Sequence, residues 1–394
     1  MSWPMCVLGD VAPAKPIKLN SFKQSDNFWQ VTLDHIESGT GRLLERNIKP
    51  LSEAGTSTHA FDERHVLYSK LRPYLNKVLL PDGIGIGTTE LVPMLPDPER
   101  LDRDYLAYYL KSNIFVNWVS SQTAGAKMPR VSMNTFWEHE IPLPPLPEQK
   151  RIAAILDKAD SLRRKNQQAI QLADKFLRAV FLDMFGDPVT NPKGFKPRLL
   201  KEFYFDENTG TKCGPFGSAL KKEEYVESGI PVWNMDNINL SGKFIDKPNL
   251  WITEAKFEEL EPYSIKPGDV IISRAGTVGK MGVVRSKHSK SIISTNLIRV
   301  RFGCELLPEY FVSLMTYCKT RFGRLKTGPD GSFTHMNTGI LDNLEFPYPP
   351  VSIQSDYLLV RNKLLDTLKK AGYSEKLSND AFGAISQKAF AGEL

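Results

Sequence analysis

The chain has 394 residues, of which 41% are hydrophobic and 24% charged, enough for two or three packed cores. Lys and Arg exceed Asp and Glu by 51 − 45 = 6, which permits a polyanionic partner without proving one. Cys6, Cys213, Cys304 and Cys318 lack a CxxC spacing, which argues against a disulfide framework or zinc site and favours a reducing, cytoplasmic location. With no long apolar stretch and no Lys or Arg before Lys15, neither a membrane span nor a secretory signal is expected.

The first part of the chain carries short β-branched and aromatic runs broken by Gly, Pro and Asn, which predict a mixed α/β domain. Its segment Gly83–Gly87 resembles a nucleotide-binding turn but lacks the last glycine and a following helix, so a glycine-rich hairpin is favoured. A short helix is predicted over Asp104–Val119. The proline-rich bridge Pro142–Pro147 follows and is interpreted as a hinge rather than as a ligand for a proline-binding module.

A long helix is predicted from Pro147 to Phe185, because proline suits the first helical position and an apolar stripe continues for five heptads. A helix of about 38 residues spans roughly 57 Å, and its stripe needs a partner. Asn166 lies within this stripe. It is either a tolerated polar residue or a contact that fixes helix register, and the sequence does not decide between them.

The second half of the chain repeats the first. At a spacing of 204 or 205 residues, the matching pairs are Val66–Lys70 with Val270–Arg274, Tyr105–Leu110 with Tyr310–Met315, Ile141–Leu146 with Phe346–Val351, and Gln149 with Gln354. Loop insertions account for a drift of a few residues elsewhere. In the second copy, strands are predicted at Val270–Ser273, Met281–Val284 and Ile298–Phe302, with a short helix over Glu309–Lys319.

The second long helix is predicted over Ile353–Leu394, with a less regular pattern and Gly372 as its weak point. The predicted fold class is α+β: two similar mixed α/β domains joined by two long antiparallel helices that form a coiled coil, with a pseudo-twofold internal repeat. The predicted boundaries are 1–145 and 188–350 for the globular domains, and 146–187 and 351–394 for the helices.

Sequence templates for catalysis do not fit. Gly276–Lys280 has the wrong spacing for a phosphate-binding loop, and the six histidines form neither HExxH nor a paired Cys/His cluster. The nuclease-like order Asp246, Glu254 and Lys256 competes with a better interpretation of Thr253–Leu260 as a capped amphipathic helix. The Asn-Pro-Pro-aromatic segment of DNA amino-methyltransferases is missing as well. We therefore predict no catalytic residue, cofactor or metal in this chain.

Basic residues are unevenly placed along the sequence. Between Asp269 and Glu305 there are seven basic residues and no acidic one, and the first half echoes this more weakly. By charge alone a solvated basic face is an equal alternative, but two similar basic modules on a rigid spacer favour duplex DNA with two half-sites. The candidate DNA-binding residues are Lys70, Arg72, Lys77, Lys127 and Arg130 in the first domain, and Lys212, Ser218, Arg274, Thr277, Lys280, Arg285, Arg324 and Lys326 in the second. Thr277 and Lys280 are expected to approach DNA most closely.

Four segments, taken in order, carry a family resemblance: Pro142–Gln149, Gly214–Ser218, Lys266–Lys280 and Ser294–Ile298. With the long helix through Phe185, they resemble the DNA specificity subunit of type I restriction–modification enzymes over essentially the whole chain. The resemblance implies a noncatalytic subunit whose two target-recognition domains each read half of a bipartite double-stranded DNA target, with the helices setting the half-site spacing.

The resemblance also implies partners. Two modification (methyltransferase) subunits would dock on the helices and restriction/translocase subunits would join them, with S-adenosylmethionine, ATP and Mg in those partners and no membrane involved. The second proline bridge departs from the first, reading Val351-Ser-Ile353 where the first has Leu146-Pro-Glu148, so we expect one helix–partner contact to differ.

Two other function classes are alternatives to DNA recognition. One is a coiled-coil scaffold whose globular units bind proteins, for which salt-insensitive binding would be diagnostic. The other is a self-contained enzyme. Neither explains both the duplication and the basic stretches.

Overall fold

The computed structural model describes residues 3–19, 22–55, 58–125, 128–206, 209–216, 219–239, 242–274, 279–318 and 336–394. The chain divides into two compact units. Unit 1 comprises Met1–Ile170 and Tyr373–Leu394, and unit 2 comprises Gln171–Gly372. Each unit therefore contains one globular domain together with helical segments from two separate parts of the chain.

The globular domain of unit 1 is built from short strands and helices. Its strands are β1 (Met5–Val7), β2 (Asn27–Val31), β3 (Asn47–Pro50), β4 (Thr58–Phe61), β5 (Val66–Ser69), β6 (Val78–Leu79), β7 (Gly85–Thr88), β8 (Leu91–Met94), β9 (Thr123–Ala124), β10 (Arg130–Val131) and β11 (Glu140–Pro142). Its helices are α1 (Leu8–Val11), α2 (Arg103–Lys111), α3 (Asn113–Ser121) and α4 (Met133–Trp137).

Two sheets form the centre of this domain. One has the strand order β3-β2-β7-β4, with β2 and β7 parallel, and the other has the antiparallel order β6-β5-β8. A third pairing joins β1 to β11, so the start of the domain is hydrogen-bonded to its end. The side chains of Asp102 and Ser112 cap α2 and α3, which divides the predicted helix over Asp104–Val119 into two.

The long helix α5 (Leu146–Phe185) has the predicted bounds to within one residue. Within unit 1, Arg151 bonds the carbonyl of Leu394 and Asn166 bonds Ser378, so α5 runs antiparallel to the C-terminal segment there. The Asn166 side chain donates to the Ser378 hydroxyl at 3.3 Å, which favours the register-fixing interpretation of this residue.

Unit 2 is built from a similar set of elements. Its strands are β12 (Pro197–Leu199), β13 (Thr211–Cys213), β14 (Ile230–Trp233), β15 (Trp251–Ile252), β16 (Val270–Ser273), β17 (Met281–Val283), β18 (Ile292–Ile293), β19 (Leu297–Val300) and β20 (Glu345–Pro347). Its helices are α6 (Glu254–Glu259), α7 (Pro308–Cys318), α8 (Thr338–Asp342) and α9 (Val351–Lys370). The helix α10 (Glu375–Ala391) follows α9 in the chain but belongs to unit 1.

The sheets of unit 2 follow the same plan. They have the antiparallel order β13-β19-β16-β17 and the order β15-β14-β18, with β14 and β18 parallel, and β12 pairs with β20. Strand β16 matches its prediction residue for residue. The mixed α/β structure with long helices agrees with the predicted α+β class.

Equivalent aromatic residues anchor the helices in both units. In unit 1, Phe390 of α10 packs edge-on against Tyr105, with ring centroids 5.4 Å apart. In unit 2, Phe185 at the end of α5 packs in the same way against Tyr310, at 4.8 Å. Both pairs are related by the 205-residue spacing of the sequence repeat, since 310 − 105 and 390 − 185 are equal.

Two expectations from sequence are corrected. The second long helix is not continuous: α9 ends at Lys370, Gly372 adopts a left-handed φ of 73°, and Ser374 caps α10. The segment Gly83–Gly87 is not a hairpin, because β6 and β7 lie in different sheets. Instead, a Cβ on Gly85 would lie 2.6 Å from the ring of Phe61, so this glycine leaves room for a core aromatic side chain.

None of the helices in the described part of the chain combines the length and the apolar character that crossing a bilayer requires.

Candidate nucleic-acid interface

Two predicted DNA-binding residues, Lys70 and Arg274, follow equivalent strands. Lys70 comes directly after β5, and its backbone N–H donates to the carbonyl of Glu90 at 3.0 Å. Arg274 comes directly after β16, and its N–H donates to the carbonyl of Asn296, also at 3.0 Å. The backbone therefore presents these two cations in the same way in both units.

The surroundings of Lys70 and Arg274 differ. Lys70 lines a cavity of about 180 Å³ with His59, whose pKa is lowered by burial and by the charge of Lys70. The guanidinium of Arg274 lies 5.0 Å from the ring centroid of Phe216, which is 60% exposed. The buried Nη1 of Arg274 has no hydrogen-bond partner within the described ranges. Arg274 is therefore held against an aromatic face with unused donor capacity.

Lys77 and Lys280 also occupy equivalent places. The ammonium of Lys77 donates to the carbonyl of Leu33 at 2.7 Å, and that of Lys280 donates to the carbonyl of Met235 at 2.9 Å. Each of these carbonyls lies in a short 3₁₀ turn that follows a strand. In this structure both half-buried lysines hold a turn in place, so any contact with DNA would share the ammonium with a backbone oxygen.

Arg72 and Arg130 lie on neighbouring segments of unit 1. The N–H of Arg72 donates to the carbonyl of Pro129 at 2.8 Å, and Leu71 forms an isolated bridge with Arg130. Arg72 has a left-handed backbone conformation, with a φ of 49°. This conformation costs energy for a residue other than glycine, and such strained residues are concentrated at functional sites. Arg130 is exposed and pairs with Glu90 at 2.9 Å. The structure thus brings Lys70, Arg72 and Arg130 together at one surface.

The remaining described candidates of unit 2 have partners. The ammonium of Lys212 lies 5.3 Å from the ring centroid of Tyr263. Arg285 is exposed and forms an ion pair with Glu309 of α7. Lys127, Ser218, Thr277, Arg324 and Lys326 lie outside the described residues.

Several basic side chains of the stretch between Asp269 and Glu305 are buried or paired with carboxylates from other segments. Arg299 is buried and donates to the carbonyls of Thr209 and Ser264, and burial lowers its pKa. Arg301 forms two hydrogen bonds of 2.7 Å with Asp269. Lys290 is paired with Glu254, as Arg285 is with Glu309. Four of the seven basic residues are therefore buried or paired with a carboxylate.

The nuclease-like residues are not assembled into a site. Lys256 pairs with Glu224 and Glu259, and Glu254 pairs with Lys290. Thr253 caps α6 by accepting from the N–H of Lys256, as predicted. Among the residues that the structure describes, no group of three or more His, Cys, Asp or Glu side chains could hold a metal ion.

Sequence reasoning missed two features of this surface. Glu90 was not recognised as the partner of Arg130, because 40 residues separate them in the chain. Phe216 lies in the motif Gly214–Ser218, and its position between Pro215 and a glycine in a polar segment is a signal for an exposed aromatic residue.

The chain is similar to known proteins over most of its length. A family model described as "Type I restriction modification DNA specificity domain" matches residues 3–172. The MjaVIII specificity subunit of a type I restriction enzyme from Methanocaldococcus jannaschii is 26% identical over 306 residues, which is 74% of this chain and 70% of that protein. The EcoKI specificity subunit from Escherichia coli K12 is 26% identical over 324 residues, covering 75% of this chain and 67% of that protein.

A solved structure supports the fold. The crystal structure of a type I restriction–modification system S subunit from M. genitalium aligns with a TM-score of 0.56 at 16% identity, covering 99% of this chain and 96% of that one. At that identity the likeness concerns the arrangement of the backbone alone.

Proposed function

We propose that this chain is a DNA specificity subunit of a type I restriction–modification system and recognises a bipartite DNA target, with one half-site for each globular domain. The chain is a noncatalytic subunit that recognises the DNA target and assembles with other subunits. The proposal adds that residues 1–145 and 188–350 are the two target-recognition domains, related by a pseudo-twofold axis.

The observation that carries this proposal is the repetition of the same cation-presenting backbone in two separate units. Lys70 and Arg274 follow equivalent strands. The backbone N–H of each donates an equivalent hydrogen bond of 3.0 Å, to Glu90 in unit 1 and to Asn296 in unit 2. Lys77 and Lys280 bond equivalent turns. A bipartite duplex target offers two half-sites at a fixed separation, so two modules of one design suit it as a ligand.

The helices suit a second role, as a spacer and a docking platform for two modification subunits. Large apolar side chains on α5 are exposed, Leu162 by 62%, Leu172 by 56% and Phe176 by 52%, and Leu359 on α9 is exposed by 72%. Exposed apolar side chains of this size mark protein contacts when they follow one another along an element. These exposed side chains support the proposal that partner subunits cover the helices in the assembled enzyme.

The chemistry of the complex is assigned to the partner subunits. In this proposal the modification subunits bind S-adenosylmethionine and methylate adenine, restriction/translocase subunits use ATP and Mg, and the complex works in the cytoplasm. This chain contributes the choice of DNA sequence.

The test is to co-express the chain with the methyltransferase encoded beside it and to map methylated adenines in host DNA. We expect methylation in a split motif, and duplex binding by the purified complex that weakens with salt, with a log–log slope of about −0.9 for each phosphate contacted. The methyltransferase expressed alone is the control and should leave that motif unmethylated. Salt-insensitive binding and no new methylation would contradict the proposal and favour a protein-binding scaffold.

A further inference from the structure

A fully buried glutamine lies near the start of a long helix in each unit. Gln149 is the fourth residue of α5, and Gln354 is the fourth residue of α9. Neither side chain is accessible to solvent. A buried carboxamide is costly unless its two N–H donors and its oxygen are hydrogen-bonded, so their partners matter.

In unit 1, the carboxamide of Gln149 joins the helix to two other segments. Its Oε1 accepts from the backbone N–H of Asp102 at 2.8 Å. Its Nε2 donates to the carbonyl of Arg100 at 2.8 Å and to that of Pro144 at 2.7 Å. Arg100 and Asp102 belong to the globular domain, just before α2, whereas Pro144 lies in the proline bridge.

In unit 2, Gln354 makes the same three hydrogen bonds. Its Oε1 accepts from the N–H of Leu307 at 2.9 Å, and its Nε2 donates to the carbonyls of Glu305 at 3.1 Å and Pro349 at 2.9 Å. Every partner is displaced by the same 205 residues: 307 − 102, 305 − 100 and 349 − 144 are equal. The glutamine and the positions of its three partners are thus equivalent in the two units, although residues 146–148 and 351–353 of the bridges differ.

These hydrogen bonds fix an orientation as well as a contact. Apolar packing at a helix start is non-directional, so it tolerates some rotation of a domain about the helix. Three directional hydrogen bonds to backbone groups on two different segments restrict this rotation, because each bond requires both a short distance and a nearly linear donor angle. The carboxamide therefore defines the angle at which each globular domain is held on its helix.

We propose that Gln149 and Gln354 are positioning residues that determine which spacing between DNA half-sites the protein accepts. The inference rests on the proposed bipartite recognition, because the angle of each domain decides where its basic segments meet the duplex. A change of one base pair moves a half-site along and around the DNA axis, so a domain held at a fixed angle rejects it.

The test uses the full chain assembled with its methyltransferase subunits. The variants Gln149→Met and Gln354→Met keep the side-chain length but remove the three hydrogen bonds. Methylation rates are compared on duplexes that carry the mapped target with its natural spacer and with the spacer one base pair shorter or longer. Binding to a duplex with one half-site only is measured alongside.

We expect each variant to reduce the preference for the natural spacer by about tenfold, equivalent to about 1.4 kcal/mol. Affinity for the single half-site should stay within about twofold of the original, since the recognition surface itself is unchanged. The shorter variant Gln149→Asn should shift the preferred spacer rather than broaden the preference.

The matched control is Ile86→Ala, which creates a cavity in the hydrophobic cluster that Ile86 forms with Phe28 and Leu51 in unit 1. It should lower thermal stability and leave spacer preference unchanged. If the glutamine variants behave like Ile86→Ala, the positioning role is wrong. If the unmodified complex methylates no split target, the proposed function fails and the inference with it. Should one glutamine variant not fold, the other carries the test, because each acts in a separate unit.

Discussion

The candidate DNA-binding segments after β5 and β16 have the same backbone hydrogen bond and different side chains. After β5 and β16, the same hydrogen bond is made by Lys70 with Glu90 in unit 1 and by Arg274 with Asn296 in unit 2. Because backbone hydrogen bonds do not depend on side-chain identity, both residues of this pair can change while the fold stays. This is the arrangement that two modules reading different half-sites require.

Buried positions show the same freedom. The turn before β5 is closed by His65, whose Nδ1 accepts from the N–H of Asp62 at 3.1 Å. The turn before β16 is closed by Asp269, whose Oδ2 accepts from the N–H of Lys266 at 2.8 Å. One position thus carries an imidazole in unit 1 and a carboxylate in unit 2, and each closes the equivalent turn by accepting from a backbone N–H.

The largest expected effect is on the ion pair between Asp269 and Arg301 in unit 2. Replacing Asp269 by Ala leaves Arg301 partly buried without its carboxylate and should destabilise unit 2 by about 3 kcal/mol. Glu90→Ala breaks the more exposed pair with Arg130 in unit 1 and should cost less than about 1 kcal/mol. Urea unfolding followed by hydrogen exchange in each unit measures both. Equal losses would show that burial does not distinguish the two pairs.

A smaller effect is expected on DNA binding, and it should differ in kind between the units. Arg274→Ala should cost about 2 kcal/mol and relax one position of one half-site, because a guanidinium held on Phe216 can read a base edge. Lys70→Ala should weaken binding to all sequences alike and reduce the salt slope by about one. The measurement is binding to a panel of single-base variants at several salt concentrations. Identical sequence and salt dependence for the two variants would contradict the expected difference between Arg274 and Lys70.

The third effect concerns pH. Burial lowers the pKa of His139 from 6.5 to about 4, while its backbone carbonyl accepts from Leu8 at 2.8 Å. Leu344 makes the equivalent bond, to Leu200, in unit 2. Because the unfolded chain takes up the proton at a higher pH than folded unit 1, the contribution of neutral His139 to the stability of unit 1 should be fully present above about pH 6.5 and be lost as the pH falls towards 4.

The variant His139→Leu copies unit 2 and should flatten this dependence. Thermal unfolding at pH 7 and pH 5, with hydrogen exchange to locate the loss in unit 1, measures the change. The reciprocal variant Leu344→His should introduce the dependence into unit 2. If His139→Leu loses as much stability on acidification as the original chain, another group is responsible.

Local elements were predictable where the pattern was long or strictly alternating. The 40 residues of α5, the strand Val270–Ser273 and the cap at Thr253 follow from neighbours in the chain. The break at Gly372 was visible only as a weak point, because propensity alone does not stop a helix whose stripe continues on both sides. The glycines of Gly83–Gly87 were misread since their role depends on Phe61, which is distant in sequence.

The candidate site was less predictable than the fold. Lys77 and Lys280 are predicted DNA contacts because of their charge. In the structure, the ammonium of each is hydrogen-bonded to a turn that lies about 45 residues earlier in the chain. Gln149 and Gln354 match in the sequence repeat, but the sequence does not reveal their role, because their hydrogen-bond partners lie in other segments.

The sequence by itself determined the duplication, the long helix and the order of elements, because periodicity and repetition are properties of neighbouring residues. Only the tertiary structure decided which charges remain free. Arg285, Lys290 and Arg301 are neutralised by carboxylates 24, 36 and 32 residues away. Charge pairing acts through distance in space, and folding brings those carboxylates to a stretch of chain that contains none of its own.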